Sequence, residues 1–87
     1  MKIKDGFVIR QVGGEHVAVP VGARSKEFHG MINLNATGAF LWNFFSQEHT
    51  LDEGVDALCN QYEVERTIAE KDVKKFLDIV VRNGFTE

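Results

Sequence analysis

The chain has 87 residues, a formal net charge of −3, 44% hydrophobic residues and one proline. These values are typical of one small globular domain, here taken as residues 1–87, and they exclude a disordered chain. They also argue against a protein that holds nucleic acid through a strongly basic surface.

Cys59 is the only cysteine, which excludes an internal disulfide and a zinc site built from several cysteines. A lone thiol is typical of a reducing compartment. The opening MKIKDGFVIR contains no apolar signal-peptide core, and no apolar run approaches the roughly 20 residues of a membrane-spanning helix. We therefore expect a cytoplasmic protein with no membrane partner.

The N-terminal part of the chain is predicted to form a β-hairpin. Residues 7–12 and 15–19 are rich in β-formers, and only Gly13-Gly14 separates them. Because both glycines can take positive φ, this pattern favours a tight two-residue turn. Pro20 has no N–H and is expected to end the second strand or to face no neighbour. The polar residues 21–27 are predicted to form a loop.

A third strand is predicted over residues 28–34, ahead of the most apolar stretch of the chain. Alternation along a strand places successive side chains on opposite faces. Its two predicted faces hold Phe28, Ile32 and Leu34 on one side and His29, Met31 and Asn33 on the other, with Gly30 within the strand.

Three helices are predicted to follow, so the expected fold is α+β in the order βββααα. Asn35 is a candidate N-cap for the first helix, which carries four aromatic residues. Thr50 and Glu53 have the spacing of a capping box at the start of the second helix, and Thr67 and Glu70 repeat that spacing before the third. The third helix is expected to run to about Asn83, with Gly84 just past its end.

The third strand is expected to lie at an edge of the sheet. In a simple meander the second strand is central, so the third has one unpaired side. Exposed edges are usually protected by charge, proline or bulges, and residues 28–34 contain no proline and no formal charge with His29 neutral. Two interpretations remain open: the protein's own helix or tail covers the edge, or a partner peptide uses it.

The third helix has a basic flank beside its apolar stripe. With Val73 at 0° and steps of 100° per residue, the predicted core arc runs from about −60° to about 80°. Two interpretations of this flank remain open: a solvated helix surface, or a groove wall beside the open strand. Its members lie between about 100° and 200°, with Val81 on the margin: Lys71, Lys74, Lys75, Asp78 and Arg82. Ile68 and Ile79, near 220–240°, are left as unexplained apolar residues.

No pattern in the sequence predicts an enzyme. His16, His29 and His49 fall in three separate segments, and Cys59 lies on the apolar side of the second helix. A cysteine in that position usually acts as a small hydrophobic residue. No phosphate-binding glycine motif is present, so we expect no catalytic residue, no metal ligand and no cofactor.

Three segments resemble the PqqD-like family, named from pyrroloquinoline quinone biosynthesis. They are LNATGAFLWNFF, TLDEGVDALCNQYEV and EKDVKKFLDIVVRNGF. The resemblance covers nearly the whole chain, and its specificity lies in the order and spacing of these pieces. It implies a winged-helix-like fold and a role as a recognition element, or peptide chaperone, for ribosomally made precursor peptides.

The family resemblance also implies a binding mode and partners. In that family the leader segment of the precursor adds to the edge of strand three, its side chains enter the cleft beside helix three, and the domain itself does no chemistry. The leader is presented to a modifying enzyme, often a radical S-adenosylmethionine protein. Transferred to this chain, the peptide-binding residues are Phe28, His29, Gly30, Met31, Ile32, Asn33 and Leu34 on the strand and Lys71, Lys74, Lys75, Asp78 and Val81 on the helix.

Val21 stands where family members that serve quinone synthesis usually carry an acidic residue, and the first helix is more aromatic than theirs. The resemblance therefore favours another peptide-modification pathway. Lysines on helix three favour an acidic leader, mainly through faster encounter.

Two alternatives to a peptide-binding module remain. A winged-helix DNA-binding regulator would have the same order of elements, but residues 50–87 carry five basic and nine acidic side chains, a balance of −4 in the region of both candidate recognition helices. A small enzyme using Cys59 and a histidine is the third possibility. The expected partners are a precursor peptide and its modifying enzyme, without nucleic acid.

Overall fold

The computed structural model of the chain describes residues 1–28 and 30–87. It confirms a three-stranded antiparallel sheet followed by three helices, in the sheet order β1-β2-β3. A short 3-10 helix connects the second and third strands. The elements are β1 (Phe7–Val12), β2 (Glu15–Pro20), the 3-10 helix (Gly22–Lys26), β3 (Ile32–Leu34), α1 (Ala36–Phe44), α2 (Leu51–Gln61) and α3 (Arg66–Arg82).

The predicted hairpin is present. Gly13 and Gly14 have φ of 57° and 86°, the positive values that a two-residue turn of this kind requires. At the end of the β1–β2 ladder away from the turn, the Val21 N–H donates to the Gly6 carbonyl oxygen at 2.8 Å. Backbone N–H and C=O groups alternate from side to side along a strand. Those of the odd-numbered residues of β2 therefore point to β1, and those of the even-numbered residues point to β3. Pro20 is the last residue of β2, as predicted.

Strand β3 is shorter than predicted, and the predicted start at Phe28 is wrong. The strand begins only at Ile32. Gly30 has a φ of +87°, which interrupts an extended chain. The Phe28 ring lies 5.6 Å from the Phe7 ring and 5.1 Å from the Phe85 ring, so it joins the aromatic core. The predicted loop of residues 21–27 is largely the 3-10 helix.

Two of the three predicted helix caps are correct. Asn35 is the N-cap of α1, and its side chain accepts a hydrogen bond from the Gly38 N–H at 2.7 Å. Thr50 and Glu53 form a reciprocal capping box at α2. The third prediction is wrong, because α3 starts at Arg66 and Thr67 lies inside its first turn.

The Glu70 carboxylate, which was expected to cap α3, instead pairs with Arg66. Glu70 Oε1 lies 3.8 Å from Arg66 Nε, one turn earlier in the helix. A second carboxylate, that of Asp56 on α2, lies 2.7 Å from Arg66 Nη1. One ion pair to α2 and one within α3 therefore lie at the start of α3, which has no side-chain cap of its own. At its other end Gly84 follows the helix with a φ of 75°, as expected.

Glu53 links the stability of α2 to pH. Its Oε1 accepts the Thr50 N–H at 2.8 Å, and this hydrogen bond holds the pKa of Glu53 below its ordinary value of 4.5, with His49 adding to the effect. Since the folded-state pKa is the lower one, the ionised carboxylate stabilises the fold fully above about pH 4.5, and this contribution is lost as pH falls through the folded-state pKa.

We expect Glu53→Gln, whose amide oxygen can still accept, to lower the free energy of unfolding at neutral pH. The deficit relative to the unsubstituted protein should shrink well below pH 4.5, as measured by urea unfolding across pH. Glu63→Gln, which removes an exposed carboxylate without a described hydrogen bond, is the control. A deficit that stays the same at every pH would contradict a role for the Glu53 charge.

The core lies between the sheet and the three helices. The largest fully buried side chains are Trp42 and Phe45 of the α1 region. Residues near the two chain ends close one side, where the Ile3 N–H donates to the Phe45 oxygen at 2.8 Å and Ile3 forms a bridge with Thr86. Half-buried Cys59 packs against this core. No helix within residues 1–28 and 30–87 is both long and apolar enough to span a membrane.

Candidate peptide-binding cleft

A cleft of about 350 Å³ separates β3 from α3. One wall is β3 itself, and the opposite wall is one flank of α3. The start of α1 and Phe85 complete it. The side chains and backbone that line the cleft are Ile32, Asn33 and Leu34 of β3, Asn35, Thr37, Gly38, Leu41 and Trp42 around α1, Asp72, Lys75, Phe76, Ile79 and Val80 of α3, and Phe85.

The edge of β3 that faces away from β2 has no strand partner among the described residues. Ala18 and His16 turn their backbone groups toward β3, where they pair with Ile32 and Leu34. Asn33, between those two, must therefore turn its N–H and C=O toward the open side. Asn33 also lines the cleft, so an unused backbone donor and acceptor lie at its wall.

The floor of the cleft is apolar and tightly packed. Trp42 is 2% exposed, and its ring lies 6.4 Å from that of Phe76 and 5.7 Å from that of Phe85. Leu41 and Val80 are also buried and pack into the same apolar layer beneath the cleft. Such a floor is suited to apolar side chains of a ligand, while the β3 edge is suited to its backbone.

The cleft contains the β3 part of the predicted site in shortened form. Ile32, Asn33 and Leu34 line it. Phe28 is turned into the core, and exposed Gly30 and Met31 precede the strand. His29 lies outside the described residues. Peptide binding by all of these residues stays a prediction.

On α3, the structure places the cleft on the flank opposite the one expected from the sequence. Lys75 lines it, but the other four predicted residues do not. With Val73 at 0°, the cleft residues Asp72, Lys75 and Ile79 lie at about 200–260°. The predicted residues outside the cleft lie exposed at about 80–160°, across the buried arc: Lys71, Lys74, Asp78 and Val81.

Asp72, Phe76 and Ile79 are cleft residues that the sequence analysis did not assign. The sequence did hold an indication that Ile79 belongs to a binding surface, because an isoleucine outside the core arc had no other explanation. It is 45% exposed and lies in the cleft. Ile68, the second such residue, is 49% exposed and lies on the same flank nearer the start of α3.

The histidines and the cysteine that could have supported an enzyme lie in other surroundings. His16 is in β2, and the His49 ring stacks on Phe44 with 3.9 Å between ring centroids. Cys59 packs at the margin of the core. Within the part of the chain that the structure describes, no group of three His, Cys, Asp or Glu side chains is placed to hold a metal ion.

The fold and the cleft define a small α+β domain of the winged-helix-like class, with an open sheet edge beside its last helix. The family model described as Coenzyme PQQ synthesis protein D (PqqD) matches residues 15–85, and the chain belongs to the PqqD family. No curated protein matches the chain.

Two solved structures are similar over almost the whole chain. One is described as TbiB1 in complex with the TbiA(beta) leader peptide; its TM-score is 0.72 at 28% identity, with 100% of this chain and 95% of that chain covered. The other is described as lasso peptide synthetase B1 complexed with the leader peptide, with a TM-score of 0.69 at 22% identity and coverage of 99% and 95%. The second likeness is one of fold alone.

Proposed function

We propose that this chain is a non-catalytic peptide-binding module that captures the leader segment of a ribosomally made precursor peptide. The leader adds as a strand to the open edge of β3 and places alternate side chains in the cleft beside α3. The bound peptide is then presented to a modifying enzyme, for which a radical S-adenosylmethionine protein is our first candidate. The pathway is one of peptide modification other than quinone synthesis.

The observation that carries this proposal is the free backbone edge at Asn33 as a wall of an apolar cleft. An incoming strand gains main-chain hydrogen bonds from the edge and side-chain contacts from the floor, the usual combination in strand addition. Solvent-exposed edges carry a risk of aggregation, so an edge without charge or proline is best explained by a ligand. The similar structure of TbiB1 in complex with a leader peptide supports leader binding as the function, independently of where on the domain the leader lies.

Charge gives less support to an acidic leader than the sequence suggested. Of the predicted basic residues of α3, only Lys75 lines the cleft. The acidic residue Asp72 lines it as well. Apolar groups form the larger part of the cleft surface, and Ile32, Leu34 and Ile79 are the more accessible apolar residues that line it. We therefore propose that apolar side chains of the leader supply most of the contact. A flexible leader loses conformational freedom on binding, so the affinity is moderate, as suits a module that hands its peptide on.

Selection from a display library of random peptides tests the proposal. We expect enriched peptides to shift the backbone amide signals of residues 30–35 and 72–80 in an NMR titration. Random-sequence duplex DNA, the ligand of a winged-helix regulator, is the comparison and should cause no such shifts at physiological salt. Selected peptides that shift only signals of β1 or α2 would overturn the proposed site.

A further inference from the structure

Asp72 and Lys75 are the only charged side chains that line the cleft, within the described part of the chain. They lie three residues apart on α3, at the rim above an apolar floor. Both side chains are exposed, so each attracts an opposite charge of a ligand only modestly, while a like charge at the same position is disfavoured. Their placement therefore bears on which peptides the cleft accepts.

Neither side chain is used in a described ion pair, unlike the other carboxylates of α3. Glu70 lies 3.8 Å from Arg66, and Asp78 lies 3.2 Å from Arg82. Asp72 is the one acidic residue of α3 without a described cationic partner. The two cleft charges are thus available to a ligand, and they are of opposite sign.

We infer, on the basis of the proposed function, that Asp72 and Lys75 select a leader segment by the order of its charges. The preferred segment is extended, carries a basic side chain opposite Asp72 and an acidic side chain opposite Lys75, and covers the cleft floor with apolar side chains. A segment with the reverse order places like charges together on both positions and is disfavoured. Discrimination of this kind depends on repulsion as much as on attraction.

For a leader strand that runs along α3, the spacing of the two charges fits two neighbouring side chains on one face of the strand. Three residues of helix span about 4.5 Å along the axis. Side chains two apart in a strand are separated by about 6.7 Å. The difference of about 2 Å is within the reach of long charged side chains, so the expected ligand has its acidic and basic residues two positions apart.

A variant with exchanged charges, Asp72→Lys/Lys75→Glu, tests this inference because it keeps the net charge of the protein. The probes are the peptide most enriched by the original protein from a random display library and a copy of that peptide with its acidic and basic residues exchanged. Isothermal titration of both peptides against both proteins should show each protein preferring its own peptide, by on the order of tenfold for pairs at a solvent-accessible rim.

Lys74→Glu is the matched control for Lys75→Glu. Both variants reverse the charge of a lysine, but Lys74 is exposed across the buried arc, outside the cleft. We expect the Lys75 variant to lose affinity for the enriched peptide and the Lys74 variant to keep it. Equal losses in the two variants, or no change of preference in the exchanged variant, would overturn the inference while binding at the cleft persists. Selected peptides that leave the cleft signals unmoved in NMR would overturn the proposed function as well.

Discussion

The substitution Gly54→Val is expected to lower the free energy of unfolding by about 3 kcal/mol. Gly54 is buried in α2, where a Cβ atom would lie 2.6 Å from Phe45 Cζ and 3.3 Å from Val73 Cγ1. Phe45 is fully buried, so its ring has little room to move. A domain of this length has a total stability of roughly 4–13 kcal/mol. The loss is therefore large enough to shift thermal unfolding strongly.

Asn60→Val is the matched control, because Asn60 is an exposed residue of the same helix. It introduces the same β-branched side chain without overlap and should change stability by only a few tenths of a kcal/mol. Shortening the opposing ring in the double variant Gly54→Val/Phe45→Leu should cost less than the sum of the two single changes, since residues in contact couple. Additive losses in urea unfolding would show that the two positions do not compete for space.

The features that the sequence predicted correctly are those fixed by a few adjacent residues. The turn at Gly13-Gly14 needs two positive φ values, which glycine supplies. The caps at Asn35 and Thr50 depend on a side chain reaching a backbone group within three residues. Such contacts do not require knowledge of the rest of the fold, and the order βββααα followed from them.

The errors arose where distant parts of the chain decide the outcome. Phe28 has the alternation of a strand residue, yet its ring is needed in the aromatic cluster with Phe7 and Phe85. Similarly, Glu70 has the spacing of a capping residue but pairs with Arg66, which is fixed by Asp56 on another helix. Local propensity does not contain these tertiary contacts.

Helical periodicity located the buried arc of α3 but not the side of it that faces β3. Both flanks of an amphipathic helix have the same relation to its own apolar stripe. The packing of α3 on the sheet and on α1 decides which flank borders the cleft. The basic flank with Lys71 and Lys74 was therefore a reasonable expectation, and Ile79 was the better indicator because an exposed apolar residue requires an explanation.

The substitution Asn33→Pro is expected to abolish most of the affinity for the peptide while leaving the fold intact. The Asn33 N–H points to the open edge and not to β2, so its removal breaks no hydrogen bond of the sheet. An incoming strand would lose one main-chain hydrogen bond and meet the proline ring at the edge. A hydrogen bond contributes about 0.5–1.5 kcal/mol; together with the steric clash we expect the Kd for a selected peptide to rise at least about tenfold.

Gln11→Pro separates edge chemistry from a general effect of proline. Gln11 is exposed, pairs with His16, and by the same alternation turns its N–H away from β2 at the opposite edge of the sheet. This variant should bind the selected peptide with unchanged Kd by isothermal titration, and both variants should keep the dispersed amide spectrum of the folded protein. If the two prolines weaken binding equally, or if Asn33→Pro binds normally, the peptide does not add to β3. A loss confined to Asn33→Pro would place the peptide backbone at the one edge that borders the cleft.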